Sequence, residues 1–256
     1  MDLLPLFKSH YSIGRSILTI SKPEDKVEGG PDSIIDICAQ HKLKEFYLIE
    51  DSMSGFLEAY INAQENNLKL IFGLRMTVCP DLHEKTKESK EAGSAKYIIL
   101  CKNTAGYKRL IKISSLAAKE GFYYHPRIDF KHLKKYWSNE DLKLVVPFYD
   151  SFLHHNYFGG DNCHTNFTFT TPDFFIENNN LPFDHLLLKR VKQFTEDGKK
   201  YSLVKTQSIF YKDKNDFKSY LTFRAINKRT SLGKPNLDHM GSDTFCFESW
   251  ANQVSK

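Results

Sequence analysis

The stretch 97-YIILCKNTAGYKRLIKISSLAAKEGFYYHPRID-129 reads as a strand, a helix and an aromatic-basic loop, in that order. Five apolar residues, 97-YIILC-101, have the length and composition of a buried strand. Asn103 follows as an N-cap, a residue whose short side chain can accept a backbone N–H at a helix start. Tyr107, Leu110, Ile111 and Ala117 then fall on one face, and Gly121 stops the helix. The same alternation extends outward in both directions. Strand-like runs occur at 46-FYLI-49, 69-KLIF-72, 144-LVVPF-148 and 203-LVKT-206. Helical spacing occurs at 31–43, where Ile34, Ile35, Cys38 and Ala39 form a stripe, and at 56–67, with Phe56, Leu57, Tyr60 and Ile61. Two more helices are expected over 184–198 and 215–229. Strands alternating with helices predict parallel β-α-β units, as an open doubly wound sheet or as a barrel.

The composition sets limits. A chain of 256 residues with 41% hydrophobic and 26% charged side chains can bury a core, which excludes wholesale disorder. No run of 18 apolar residues occurs and no signal peptide is read at the N-terminus, so the expectation is a cytoplasmic chain. The five cysteines, at 38, 79, 101, 163 and 246, then read as reduced thiols. A net charge of +5 permits contact with nucleic acid without requiring it. The segments 81–96 and 154–166 read as surface insertions in a single domain spanning 1–256.

Unaided, the residues show no catalytic set. No phosphate-binding glycine loop, CxxC or G-x-S-x-G occurs. The best metal-like group is His154, His155, Asp161, Cys163 and His164, all ligand types but at no recognised spacing. A polar surface loop is the plainer reading. The run 122-FYYHPRID-129 can offer Tyr123, Tyr124 and Arg127 to a nucleic acid or protein partner, or can pack its rings and pair Arg127 with Asp129. The basic loop 227-NKRTSLGK-234 reads as a solvated turn.

The chain also resembles a known family from about residue 4 to about residue 249: the PHP (polymerase and histidinol phosphatase) domain of bacterial DNA polymerase III alpha subunits. The residues that carry the resemblance are 8-KSHYS-12, 49-IED-51, 67-NLKLIFGLR-75, 99-ILCKNTAGYKRLIKISSL-116, 121-GFYYHPRID-129 and 203-LVKTQSIFY-211. A helix and a hairpin-like tail would follow over 212–249. The resemblance implies a distorted (β/α)7 TIM-like barrel. It also implies about nine metal ligands at the C-terminal strand ends, holding a metal cluster that activates water against a phosphoester.

At those ligand positions this sequence departs from the family. The first histidine pair falls on Leu6 and Lys8, and the Asp-His pair on Asp51 and Ser52. The Glu falls on Arg75, the next His on Lys96, the Cys on Tyr149, a further His on Asn179, and the last Asp and His on Ser208 and Phe210. Leu and Phe offer no donor, and Lys and Arg repel a metal. Two like unit charges about 4 Å apart cost about 4 kcal/mol at an effective dielectric near 20. The expectation is a degenerate site with no metal and no cofactor, in which Lys8, Arg75 and Lys96 neutralise Asp51 and also Glu177 or Asp150. Arg75 on Asp51 is the best candidate ion pair. A second option is that the basic mouth holds an anion or a DNA phosphate.

The family resemblance places a polymerase palm after this segment, and its catalytic carboxylates have no counterpart in 245–256. The implied function is therefore a non-catalytic structural and interaction domain in DNA replication. It would pack on a polymerase catalytic module, dock a proofreading exonuclease, or both, as a fragment or as a free-standing subunit. Two alternatives stand beside it. One is a PHP-type phosphoesterase or 3′–5′ exonuclease with a remodelled site built on Asp51, His10, His125, His154 and His155. His10 would share a strand face with Lys8. The other is a small basic DNA-binding module.

Overall fold

The computed structural model describes residues 3–25, 27–86, 93–196, 201–233 and 242–255. Parts of the segments 81–96, 184–198, 212–249 and 227–234 therefore lie outside the described residues. Among the described residues there are eight strands: β1 (Leu4–Phe7), β2 (Glu45–Glu50), β3 (Lys69–Val78), β4 (Ala95–Cys101), β5 (Arg127–Ile128), β6 (Leu142–Val146), β7 (Asp173–Ile176) and β8 (Ser202–Ile209). Helices lie between and after them: α1 (Ile34–Gln40), α2 (Phe56–Glu65), α3 (Thr104–Lys119), α4 (Phe130–Lys135), α5 (Phe152–His154), α6 (Asp184–Glu196), α7 (Phe217–Asn227) and α8 (Phe247–Val254). The strand order is β2-β1-β8-β7-β6-β4-β3-β5, and β2 also pairs with β3. Seven strands thus follow one another in a closed hydrogen-bonded order, which is the topology of a distorted α/β barrel, and β5 is appended to β3.

The helix ends follow from local chemistry. Ser33 caps α1 by accepting the Ile35 N–H, and Asn103 caps α3 by accepting the Gly106 N–H at 2.8 Å. Two glycines of this region are needed for close approach. A Cβ on Gly106 would lie 2.2 Å from the Asp141 carbonyl oxygen, and one on Gly121 would lie 1.9 Å from that of Arg127.

Two expectations are corrected. The pattern is not parallel throughout: β4 runs antiparallel to both β3 and β6, whereas β1–β2, β1–β8, β3–β5 and β6–β7 are parallel. Among the described residues no helix lies between β3 and β4, and only an antiparallel neighbour can follow without a helical crossover. The tail after α7 is not a hairpin in its described part. Tyr211 and Cys246 form a parallel bridge, and α8 follows with Phe247 and Trp250, three residues apart, buried on one face.

The chain forms two compact units: 1–72 with 177–184 and 205–256, and 73–176 with 185–204. The first packs Phe7 against Phe46 and Phe247, with ring centroids 6.3 and 6.1 Å away, over Ile34, Ile35 and Leu48. The second is centred on buried Tyr97, ringed by Phe130, Phe152 and Phe167. Burying each such aliphatic or phenyl side chain contributes about 1.5–3 kcal/mol. Among the described residues no helix is long and apolar enough to cross a membrane.

Candidate functional site

Strand β1 ends at Phe7; the Lys8 N–H still reaches the Ile209 carbonyl of β8 at 3.3 Å, and a turn begins at His10. Lys8 is 5% exposed and His10 is exposed, its ring tilted against that of Tyr11 at 4.5 Å. The expected shared face for Lys8 and His10 fails because two-residue alternation holds only within a strand. Burial of Lys8 is matched by acidic partners of the first unit. Its Nζ lies 3.2 Å from Asp51 Oδ1 and donates to Ser12 Oγ at 3.5 Å. Glu50, wholly buried at the end of β2, accepts the Ser9 N–H at 2.7 Å and the Ser12 hydroxyl. Ser12 Oγ also accepts the Asp51 N–H at 2.9 Å. The serines of 8-KSHYS-12 are thus a cradle for the carboxylates that end β2. Burial pushes the Glu50 carboxyl up, against the pull of Lys8 and the two serines.

A second carboxylate of the same unit is held without a cation in its described contacts. Glu177 is buried and accepts the Asn179 side-chain amide at 2.9 Å, the Ser208 N–H at 3.0 Å and the Ser208 hydroxyl at 2.9 Å. Burial raises this carboxyl too, and the three donors oppose the rise. Asn179 and Ser208 are both positions that the family resemblance equates with metal ligands. Around them, Leu6 is buried with its Cα opposite Ser208, and Phe210 stacks on Phe245 at 5.5 Å and Tyr220 at 5.8 Å. Ser52 donates to the Ser54 hydroxyl at 3.2 Å.

In the second unit, Arg75 donates to Asp150 Oδ2 at 2.6 Å and reaches the Tyr149 carbonyl at 3.5 Å. Asp150 is thus the carboxylate on which Arg75 makes its described ion pair, while the described partner of Asp51 is Lys8. Lys96, opposite Thr77 in the β3–β4 ladder, donates from Nζ to Thr77 Oγ1 at 2.7 Å, and its N–H goes to the Asp150 carbonyl at 2.8 Å. Tyr149 is buried, with its ring 5.0 Å from that of Phe148.

The metal-like group divides. Donor atoms of His154 and His155 lie within 4.8 Å of one another and of Asp150. Asp161 holds His155 Nδ1 at 3.3 Å instead. His164 is exposed. Cys163 is buried, its thiol 3.4 Å from the Ser94 carbonyl and pushed up to about 11 by desolvation. The 154–166 segment is therefore anchored, with Asn156 and Cys163 exchanging two hydrogen bonds.

Arg127 is not a surface residue. It is fully buried, donating to the Glu84 carbonyl at 2.9 Å and the Gly121 carbonyl at 3.4 Å, with its guanidinium 5.3 Å from the Tyr123 ring. Asp129 caps α4 through the His132 N–H and holds His132 Nδ1 at 2.8 Å. Tyr124, at φ 62°, is exposed together with Phe122. The missed members of the site are Glu50, Ser9 and Ser12. A glutamate closing an otherwise buried apolar strand was the available signal.

Comparison with known proteins fits this arrangement of strands. A PHP domain model matches residues 27–159. The DNA polymerase III alpha subunit of Chlamydia muridarum is 40% identical over 86 residues, 33% of this chain and 7% of that protein. Its counterpart in Aquifex aeolicus is 37% identical over 91 residues, 33% of this chain and 8% of that protein. That of Thermus aquaticus is 27% identical over 207 residues, 76% of this chain and 16% of that protein. The chain thus spans under a fifth of the length of these relatives. With the family model covering more than half of its residues on an α/β-barrel strand order, this chain belongs to the PHP domain family.

Proposed function

We propose that this PHP domain serves DNA replication as a non-catalytic, cytoplasmic structural and docking element, its family metal cluster replaced by protein charges and neutral donors. The observation that carries the reading is the pair of ion pairs at former ligand positions, Lys8 on Asp51 and Arg75 on Asp150. A cluster of divalent ions needs converging deprotonated donors. Leu6 and Phe210 supply none, and Lys8, Arg75 and Lys96 bring cations to the positions where metal charge would sit. The donors of Asn179 and Ser208 are already turned to Glu177. The residues therefore do not fit the family's metal cluster, and no hydrolytic step is routed through it.

The likeness to polymerase alpha subunits supports a polymerase-associated role. The partner in this reading is a polymerase catalytic module or a separate proofreading exonuclease. Exposed Phe122 and Tyr124 are the candidate contacts in the 122–129 segment, with Tyr123 between them, its ring 4.7 Å from that of Tyr124 and 5.3 Å from the Arg127 guanidinium. The test combines the purified chain with a polymerase III alpha catalytic module lacking its own PHP domain, and separately with the exonuclease. Complex formation is read by sedimentation and phosphoester hydrolysis with added Mn2+ and Zn2+. The expected result is a complex with one of the two that survives raised salt, without hydrolysis. Metal-dependent release of nucleotide from a 3′ end would overturn the non-catalytic reading. Steeply salt-dependent DNA binding with no protein partner would favour a DNA-binding module.

A further inference from the structure

We infer that Asp150, His154 and His155 form a mononuclear site for a borderline divalent transition metal, with Zn2+, Co2+ and Ni2+ as the ions it suits. All three residues belong to the second unit, and none is a position that the family resemblance equates with a ligand. Their donor atoms lie within 4.8 Å of one another, and each residue is partly exposed, so an ion has both a pocket of donors and a way in. Two imidazoles and one carboxylate are a donor set that such ions favour, and three protein ligands leave a position for water.

The local backbone is built to hold this arrangement. Ser151 caps the short helix α5 by accepting the His154 N–H, and its carbonyl accepts the His155 N–H at 2.9 Å. One residue thus fixes both histidines. The five residues His155–Gly159 then form a π-helical turn, a rare conformation that recurs at functional sites. Gly160, at φ 70°, reverses the chain, and the Asp161 N–H returns to the His155 carbonyl at 3.3 Å. This turn brings the Asp161 carboxylate to His155 Nδ1 at 3.3 Å and leaves Nε2 as the ring nitrogen for a metal. A carboxylate behind a histidine is the usual outer support of a ligating imidazole. Asp150 has left-handed backbone geometry, φ 58°, which costs a non-glycine residue strain and persists only where the surroundings impose it. Its carbonyl accepts the Lys96 N–H and its Oδ2 accepts Arg75. Arg75 becomes the outer hydrogen-bond partner of a ligating carboxylate. Its charge lowers the affinity relative to a site without a cation, so this is an exchangeable site and not a buried structural one.

The test is titration of the whole chain with Co2+, read by its visible d–d absorption and by paramagnetic shifts of histidine ring protons. The expected result is one bound Co2+, displaced by Zn2+, with the shifted resonances assigned to His154 and His155. His154→Ala and His155→Ala are each expected to weaken binding by at least about 10–100-fold, the range seen even for outer-partner losses. Asp161→Asn is expected to weaken it about tenfold. His164→Ala, at an exposed residue outside the donor set, is expected to leave it unchanged. The paramagnetic shifts on the unaltered chain decide the matter even if a variant folds poorly. Absence of Co2+ binding, shifts confined to other histidines, or unchanged affinity in the His154→Ala/His155→Ala double variant would each overturn the assignment. The site does not rest on the proposed replication role, and loss of metal in the double variant leaves that role to its own test.

Discussion

Two buried carboxylates of the same unit are neutralised in different ways. Glu50 shares its surroundings with Lys8, two serines and Asp51. Glu177 has a backbone N–H, a hydroxyl and an amide. Burial raises both carboxyls. Both stand among positions where the PHP family resemblance places metal ligands. Under the proposed function, the contrast gives two routes by which a protein can replace metal charge: import a fixed cation, or surround the acid with neutral donors. The first route is strong when intact and fragile when one partner goes. The second degrades in smaller steps.

The largest effect is expected from Lys8→Met. Removing one member of a buried charge cluster costs about 3–5 kcal/mol. Asp51 is partly exposed, but its Oδ1, the oxygen that faces Lys8, is buried, so the loss falls on Asp51 as well as on wholly buried Glu50. Without Lys8 the Glu50 carboxyl rises further above its ordinary value. The fold then holds that proton more tightly than the unfolded chain does. Its contribution is fully present below the unfolded value and is lost as pH rises through the folded one. The deficit of Lys8→Met in urea melts is therefore expected to be greatest near neutrality and to shrink on acidification. A deficit equal at both pH values would show that Glu50 is not the affected group.

Glu177→Ala comes next. It leaves the Ser208 N–H and the Asn179 amide without their carboxylate, at about 1–3 kcal/mol for each buried donor left unsatisfied. Its denaturation midpoint should fall at all pH values, in contrast to Lys8→Met.

Glu177→Gln sharpens the comparison, since it keeps an acceptor and removes the charge. Stability should change by no more than about 1 kcal/mol, and its fall with rising pH through the raised Glu177 pKa should flatten. An unchanged pH profile would mean that Glu177 does not titrate in that range. A change of similar small size is expected from Ser208→Ala. It removes the hydroxyl but keeps the backbone donor, for about 1 kcal/mol measured by thermal melts.

The local elements were readable because local chemistry fixes them. Asn103 and Gly121 bracket α3 within two residues, and the Ser33 cap starts α1. The reversal of β4, the short strands β5 and β7, and helix α8 were not readable. They depend on partners far away in sequence, which periodicity does not report. At the site, the change of residue type at Leu6, Lys8, Arg75 and Phe210 was plain in the sequence. Partner choice was not, because it depends on side-chain geometry. Glu50 went unnoticed at the end of an apolar strand, Asp150 took Arg75, and Asn179 and Ser208 converged on Glu177. Arg127 was open to a partner-contact reading or to pairing with Asp129, because its carbonyl acceptors, at Glu84 and Gly121, belong to the backbone and leave no mark in the sequence.

The central claim is that cations and neutral donors occupy the family's metal positions. Its most direct test is metal content, by mass spectrometry, of the His154→Ala/His155→Ala variant loaded with Zn2+, Mn2+ or Fe2+ and then dialysed. That variant removes the separate candidate site and leaves the family positions untouched. The account predicts well under one equivalent of each metal. One or more retained equivalents would contradict it, and would mean that Lys8 and Arg75 do not stand in the place of the metals.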